Sequence, residues 1–306
     1  MAPPTVVVSE FMDEPAVARL SQVHPTTYDP GLVDQPEALQ SALAGARALV
    51  VRNRTQVTAE LLDQAPALEV VGRLGVGLDN IDMAACKARG VAVHPARGAN
   101  ADAVAEYVIA AALQMLRGGA FFATEAVQAG EWPRDACQGG EMAGRTLGLL
   151  GFGDIAQRTA RRARALGMTI IAHDPMVTEA AEATLLPFDA LLAAADILSL
   201  HVPLTDATRG LFDADALGRM KRDAILINTA RGGIVDEAAL AEALKAGRLG
   251  GAALDVFAVE PLDAEAARAF QGVPNLILTP HIAGVTAESN ERVSAMIADA
   301  VLEALA

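Results

Sequence analysis

Four short segments in the second half of this chain carry residue types that can do chemistry together. Gly151-Phe152-Gly153-Asp154-Ile155-Ala156 is a glycine loop of the kind that lets backbone N–H groups approach a phosphate. It is followed by Asn228-Thr229-Ala230-Arg231-Gly232-Gly233, Asp255-Val256-Phe257-Ala258-Val259-Glu260-Pro261 and Pro280-His281-Ile282-Ala283-Gly284. These contribute Arg231, Glu260 and His281. An arginine can hold a carboxylate through two parallel hydrogen bonds. A histidine can move a proton near neutral pH, and a glutamate on its other nitrogen fixes the tautomer and favours the imidazolium. Beside a dinucleotide, that set can exchange a hydride and a proton with the oxygen-bearing carbon of a carboxylic acid. A catalytic metal is not expected, because there is no His-Glu-x-x-His motif or clustered carboxylates. Nucleophile-elbow and Walker motifs are missing too.

The elements that must position these residues follow from hydrophobic patterning. Short β-rich apolar runs alternate with Ala-rich amphipathic stretches, which predicts α/β architecture with parallel sheets. The first hundred residues offer strands at Val6–Ser9, Ala48–Arg52, Leu68–Gly72 and Val91–His94. Helices are expected at Thr58–Gln64, capped by the Thr58 hydroxyl, and at Ile81–Arg89, ended by Gly90. A long helix from Ala101 to Leu116 is apolar around most of its circumference and calls for burial between layers or subunits. A second series has strands at Leu147–Leu150, Thr169–Ala172, Ile197–Leu200, Ala224–Asn228, Gly251–Asp255 and Leu276–Leu278. Six strands with helical crossovers suit a doubly wound nucleotide-binding domain. Thr286–Ala306 reads as one final helix.

The glycine loop is placed as a cofactor site requires, after a strand and at the opening of a helix. Gly151 gives the tight turn, Gly153 the close phosphate approach, and Asp154 and Ile155 the first free helical N–H groups. Ala156 replaces the third glycine and can still pack on the strand. Asp174, about 20 residues on, suits a ribose hydroxyl and predicts NAD over NADP. Arg161, Arg162 and Arg164 nearby read as a solvated helix face.

The composition sets bounds. The chain has 306 residues, 52% hydrophobic, and a net charge of −14, so nucleic acid is not expected as a partner. No run reaches the ~18 continuous apolar residues of a membrane span. Met1-Ala2-Pro3-Pro4 leads into Thr5-Val6-Val7-Val8 without the basic region or cleavage site of a signal peptide, so a cytoplasmic location is the expectation. Cys86 and Cys137 lack metal-ligand spacing and read as reduced thiols.

The order of glycine loop, Arg231, Glu260 and His281 resembles the D-isomer-specific 2-hydroxyacid dehydrogenases, the family of phosphoglycerate dehydrogenase, over nearly the whole chain. That resemblance implies two doubly wound parallel-sheet domains. A flavodoxin-like substrate-binding domain would be formed by residues 1–98 and 286–306, the last helix crossing back to it. A Rossmann NAD-binding domain, including the interdomain helix, would take residues 99–285. It implies NAD as cofactor, bound additionally by Val202, Thr229, Ala230, Arg231, Asp255, His281 and Gly284. Asp255 has a competing reading, as the cap of the turn that follows it. His201 would line the cofactor pocket without catalysing.

The resemblance further implies that Arg231 holds substrate, that Glu260 orients His281, and that His281 exchanges the proton. In Arg73-Leu74-Gly75-Val76-Gly77, the N–H groups of Val76 and Gly77 would bind the substrate carboxylate. Gly98-Ala99-Asn100-Ala101-Asp102-Ala103 resembles the start of the interdomain helix but departs from the family at Asp102-Ala103, where a serine is common. Arg52, Arg54 and Arg73 cluster at strand ends, and Arg52 and Arg73 fall where phosphoglycerate dehydrogenases carry arginines. A second anionic group on the substrate and ordinary ion pairing are both open readings of the cluster. Arg134 would reach a partner subunit, in a homodimer that puts the Ala101–Leu116 helix near its twofold axis, and the domains would close over the cofactor.

Ser9-Glu10-Phe11-Met12-Asp13-Glu14, Val51-Arg52-Asn53-Arg54-Thr55 and the stretch from His281 to Asn290 are similar to the sulfolactate dehydrogenase branch. The expected substrate is thus a 2-hydroxy or 2-oxo acid of sulfolactate or 3-phosphoglycerate type. The chain ends at Ala306, so a C-terminal regulatory domain is not expected. The alternatives are a broad-specificity glyoxylate or hydroxypyruvate reductase and an NAD(H)-sensing interaction protein of the corepressor type.

Overall fold

The computed structural model describes residues 5–306, so the Met1–Pro4 lead lies outside the described residues. The chain divides into two compact units, residues 1–100 with 285–306, and residues 101–284. Each holds one fully parallel sheet.

The first unit contains β1 (Val6–Val8), β2 (Thr26–Tyr28), β3 (Ala48–Val51), β4 (Val70–Arg73) and β5 (Ala92–Pro95), in the order β2-β1-β3-β4-β5. That is the flavodoxin-like winding. Both faces are covered, which is why β1 and β3 read as unbroken apolar runs. Val6, Val8, Val50 and Val70 face Ile297, Val301 and Leu305 of the helix Ala287–Leu305. Val7, Leu49, Val51 and Val71 pack on the opposite side with Leu39, Leu43 and Leu62. The C-terminal helix starts at a reciprocal capping box between Thr286 and Ser289. It lies so close to β4 that a Cβ at Gly72 would come within 2.6 Å of Ile297 Cγ2.

The second unit contains β6 (Thr146–Leu150), β7 (Thr169–His173), β8 (Thr184–Leu185), β9 (Ile197–Leu200), β10 (Ile225–Asn228), β11 (Gly251–Leu254) and β12 (Leu276–Leu278). Their order is β12-β11-β10-β9-β6-β7-β8, so the winding reverses between β6 and β9. Leu147 and Leu149 face Val108, Ala112, Ala156 and Ala160 on one side. Leu150, Leu198 and Leu200 face Leu191, Phe212 and Leu217 on the other.

The sequence patterning missed two strands, β2 and β8. Both are short edge strands, three residues and two, with no fully buried residue to supply an apolar run. The Ile81–Arg89 helix shortens to Met83–Ala88, because Asp82 caps it and Ile81 instead bridges to Val57. The long helix runs Ala101–Arg117, with its buried residues ending at Ala112. Beyond it, Phe121, Phe122 and Trp132 are exposed. The helical stretch Ala101–Gln128 is long and apolar enough to cross a membrane by length and composition alone, although charged residues interrupt any continuous apolar run.

Ile297 is fully buried between sheet and helix. Ile297→Ala should therefore destabilise the first unit by about 2–5 kcal/mol. Urea unfolding checks this, and an unchanged midpoint would show that the helix contributes little to that core.

Candidate active site

In open α/β sheets ligands bind beyond the carboxyl ends of the strands where the winding reverses, which here is the β6/β9 boundary. The glycine loop leaves β6 at that place. Gly151 has φ 85°, and a Cβ on it would lie 2.6 Å from the His201 carbonyl oxygen, so the turn passes against the end of β9 with no room for a side chain. Gly153 caps the helix Asp154–Ala165, and a Cβ there would meet nothing within 4 Å. The space above the helix N-terminus is open, with the first N–H groups, at Asp154 and Ile155, facing an anion-attracting dipole end. The Asp154 carboxylate bonds Arg158 at 2.8 Å, leaving the backbone as its contribution.

Asp174 follows β7 and fastens the loop. Its Oδ2 accepts the Phe152 N–H at 2.8 Å and its Oδ1 accepts the Met176 N–H at 2.9 Å. Of the helix arginines, Arg161 and Arg164 are exposed, as the solvated-face reading has them, and Arg162 is half-buried. Arg162 bonds Asp102 at 2.8 Å, Arg158 also reaches Asp102, and Arg164 pairs with Glu182. Asp102, the departure at the start of the long helix, thus ties that helix to the one behind the glycine loop. Val202 is half-buried after β9, packed on the core of the unit.

Two buried polar atoms here have no hydrogen-bond partner among the described residues, His201 Nε2 and Thr229 Oγ1. Burial pushes the His201 imidazole down to about 4, so it is neutral at physiological pH. An open helix N-terminus, a glycine turn without room for a side chain, a strand-end carboxylate and these unpartnered atoms fit a dinucleotide.

The three candidate reacting groups, Arg231, Glu260 and His281, sit on loops leaving β10, β11 and β12. Asn228, buried at the end of β10, clips the first loop: its Oδ1 accepts the Ala230 N–H at 3.0 Å and its Nδ2 donates to the Arg231 carbonyl at 2.9 Å. Arg231 Nη1 donates to the Ala230 carbonyl at 2.6 Å. The next residue touches the second loop, since a Cβ on Gly232 would fall inside the Phe257 carbonyl. That second loop is held by two carboxylates. Glu260 Oε1 accepts the Phe257 N–H at 2.9 Å, and Glu237 accepts the Ala258 N–H at 2.7 Å.

Glu260 Oε2 lies 2.7 Å from His281 Nδ1. Burial raises the Glu260 carboxyl, but the hydrogen bonds from His281 and Phe257 and the nearby Arg231 charge bring it below the usual carboxylate range. With Nδ1 engaged, Nε2 is the nitrogen available to exchange a proton.

His281 has φ 56°, an uncommon left-handed conformation for a bulky residue. Asp255 holds it there. The Asp255 carbonyl accepts the His281 N–H at 2.8 Å. Its buried carboxylate accepts the Thr279 hydroxyl at 2.6 Å, the Ile282 N–H at 2.8 Å and the Ala283 N–H at 2.8 Å. Since the Thr279 proton is committed to Asp255, the Tyr107 hydroxyl 2.6 Å away must donate to Thr279. The described hydrogen bonds of the Asp255 side chain cap the turn after β12, and not the turn that follows Asp255 itself as one sequence reading has it; Gly284 closes the turn after β12, half-buried.

In the first unit, Arg52 Nη2 donates to Asn290 Oδ1 at 2.9 Å. Arg73 ends β4 with Nη1 donating to the Leu74 carbonyl at 3.2 Å, and Val76 and Gly77 follow, the former exposed. Arg54, by contrast, pairs with Asp34 at the surface, so ion pairing is the correct reading for that member of the cluster. Sequence reasoning missed Asn228, Glu237, Tyr107 and Thr279 as supports of the site. Only Asn228 carried a signal, as an amide closing an apolar strand run.

Gly232→Ala should destabilise by about 1–3 kcal/mol through overpacking. By displacing the Arg231 and Glu260 loops it should also cut turnover about 10²-fold. Urea unfolding and steady-state rates check both, and a stable, fully active variant would show that the two loops need not touch.

Residues 109–283 match the NAD binding domain of the D-isomer specific 2-hydroxyacid dehydrogenases. The chain is 55% identical over 305 residues to the (S)-sulfolactate dehydrogenase of Chromohalobacter salexigens, covering 98% of each. It is 40% identical over 276 residues to the hydroxypyruvate reductase of Thermotoga maritima, covering 89% of each. The crystal structure of D-lactate dehydrogenase from Aquifex aeolicus, complexed with NAD and lactic acid, superposes with a TM-score of 0.86 at 27% identity, covering 97% of this chain and 94% of that one. With the parallel units, the dinucleotide loop and the Arg231, Glu260 and His281 loops in place, the chain belongs to the D-isomer specific 2-hydroxyacid dehydrogenase family and is an NAD-dependent enzyme acting on CH–OH groups.

Proposed function

We propose that the 2-hydroxy acid taken by this dehydrogenase carries a second anionic group, of the sulfolactate/sulfopyruvate type. The observation that carries this reading is Arg52. Its guanidinium is half-buried and has no carboxylate ion pair among the described residues. Burial lowers its pKa from the usual arginine range, against the opposing pull of the Glu10 charge. A cation placed in this way gains from a ligand anion, whereas an arginine already paired does not. The 55% identity to a sulfolactate dehydrogenase supports the same choice.

In this reading Arg231 holds the substrate carboxylate and the 2-oxo oxygen, stabilising negative charge as that oxygen becomes an alkoxide. His281 Nε2 gives the proton to that oxygen in reduction and removes it in oxidation, while Glu260 keeps the opposite nitrogen fixed. Arg73 and the N–H groups of Val76 and Gly77 contribute to anion binding, and Arg52 takes the sulfonate. Bound NAD supplies the hydride acceptor. Asp174, a carboxylate where a 2′-phosphate would sit, favours NAD over NADP. The exposed Phe121, Phe122, Val127 and Trp132 favour a homodimer, in which a second copy covers apolar surface left open by a single chain.

Nicotinamide absorbance across sulfolactate, 3-phosphoglycerate, malate and lactate, each with NAD and NADP, tests the reading. Turnover should be NAD-linked and favour the acids with a second anion. Arg52→Ala should raise KM for sulfolactate about tenfold or more, leaving lactate turnover unchanged. Comparable turnover of lactate by the parent enzyme would remove the second-anion reading.

Glu260 adds a pH prediction. Its folded-state pKa is lowered, so its contribution to stability is present at neutral pH and is lost as pH falls through that lowered value. Glu260→Gln should therefore be less stable than the parent at pH 7, with the difference vanishing on acidification. A constant difference across the acid range would contradict this.

A further inference from the structure

Four arginines of the first unit are neutralised by carboxylates. Arg19 pairs with Asp299, Arg47 with Glu69, Arg54 with Asp34 and Arg89 with Asp63. Arg52 is held differently, by a neutral amide and a ring. Its Nη2 donates to Asn290 Oδ1 at 2.9 Å, and its guanidinium carbon lies 5.8 Å from the centre of the Phe11 ring. A guanidinium only donates, so the amide face turned to it must be the oxygen.

The carboxylate whose charge acts on Arg52, Glu10, is spent elsewhere. Glu10 is buried at 5% exposure, and its two oxygens accept four backbone N–H groups: Arg52 at 2.8 Å, Thr55 at 2.9 Å, Arg54 at 3.1 Å and Asn53 at 3.3 Å. Four bonds fill the acceptor sites of a carboxylate, so Glu10 fixes the loop that carries Arg52 without bonding its guanidinium. Asn80 completes the clip by donating to the Thr55 carbonyl at 2.7 Å. Asn290 is equally fixed. It lies in the first turn of the helix Ala287–Leu305, its N–H bonded to the Thr286 carbonyl at 3.0 Å beside the capping box.

The chemistry of the partner decides what Arg52 can do. An amide oxygen orients the guanidinium and leaves its charge whole. A carboxylate at the same place would form a bidentate ion pair and compete with any ligand anion.

We propose that Asn290 is a specificity-determining positioning residue, which together with Phe11 and the Glu10-clipped loop holds Arg52 oriented and unneutralised for a tetrahedral oxyanion on the substrate. The inference rests on the second-anion reading of Arg52. It adds that the selectivity for that anion is set by the neutral partner of the arginine as well as by the arginine.

The test compares kcat and KM for sulfopyruvate and for hydroxypyruvate in the full-length parent, Asn290→Asp, Asn290→Ala and Arg52→Ala. Asn290→Asp should raise KM for sulfopyruvate about 10²-fold with kcat unchanged, and leave hydroxypyruvate within about twofold. Asn290→Ala, which removes the orienting oxygen but adds no charge, should show a smaller KM effect, about tenfold, on the same substrate. Adding Asn290→Ala to Arg52→Ala should cause no further loss, because the two act through one guanidinium.

Equal losses on both substrates in Asn290→Asp and Asn290→Ala would reduce Asn290 to a structural role and overturn the inference. Parent selectivity that survives Asn290→Asp would overturn it while leaving the second-anion reading intact. A parent enzyme without selectivity for sulfopyruvate would overturn both. Should Asn290→Asp fold poorly in urea titrations, the Asn290→Ala KM ratio and its non-additivity with Arg52→Ala decide the matter alone.

Discussion

The buried Asp255 carboxylate is the interaction on which the catalytic loops depend. It accepts three hydrogen bonds from the segment after β12, and its own carbonyl takes the N–H of His281. His281 needs this, because its left-handed backbone carries a steric cost that isolated chain would relieve. Placing the turn fixes the imidazole, and the imidazole meets Glu260. Glu260 is placed by its own bond to the Phe257 N–H, on a loop pressed against Gly232 beside Arg231. Three strand ends are thereby linked into one constellation by carboxylates and a close backbone approach, with little contribution from side-chain packing.

The same economy appears in the first unit. The chain carries a net charge of −14, yet the carboxylates that hold these loops are themselves engaged. Glu10 and Asp255 are occupied by backbone N–H groups and Glu260 by a backbone N–H and His281, which spreads their charge into dipoles and keeps the loops rigid. Glu10 lies below the usual carboxylate range, because the N–H groups of Thr55, Arg52 and Arg54 outweigh the opposing effect of burial. Arg52, meanwhile, is held by a neutral group, the Asn290 amide, and another amide, that of Asn228, fixes the backbone of the loop carrying Arg231.

The fold was legible where its physics is local. Val6–Val8 is apolar at every position and Ile197–Leu200 at all but Ser199, because both faces of a parallel sheet are covered, and such runs show in sequence. The edge strands Thr26–Tyr28 and Thr184–Leu185 lack that burial and left no pattern. Thr58, Gly90 and Thr286 announced helix ends because caps are short-range chemistry. The ionisable residues of the catalytic loops and the glycine turn were legible from type and order. Their supports were not. Tyr107 reaches Thr279 across 172 positions and Glu10 reaches Arg52 across 42, and nothing in the spacing of a single sequence encodes such a meeting. Arg54 and Arg52 look alike in sequence, and only the partner each finds separates a surface ion pair from a half-buried cation bonded to an amide.

The central claim is that this dehydrogenase works through His281, fixed by Glu260. NADH formation from sulfolactate by the parent enzyme and by His281→Ala, with NADH affinity measured on both, tests it most directly. The account predicts turnover in the parent, a loss of about 10²–10⁴-fold in the variant, and unchanged NADH binding. Equal turnover by both proteins would contradict the assignment of the proton to His281.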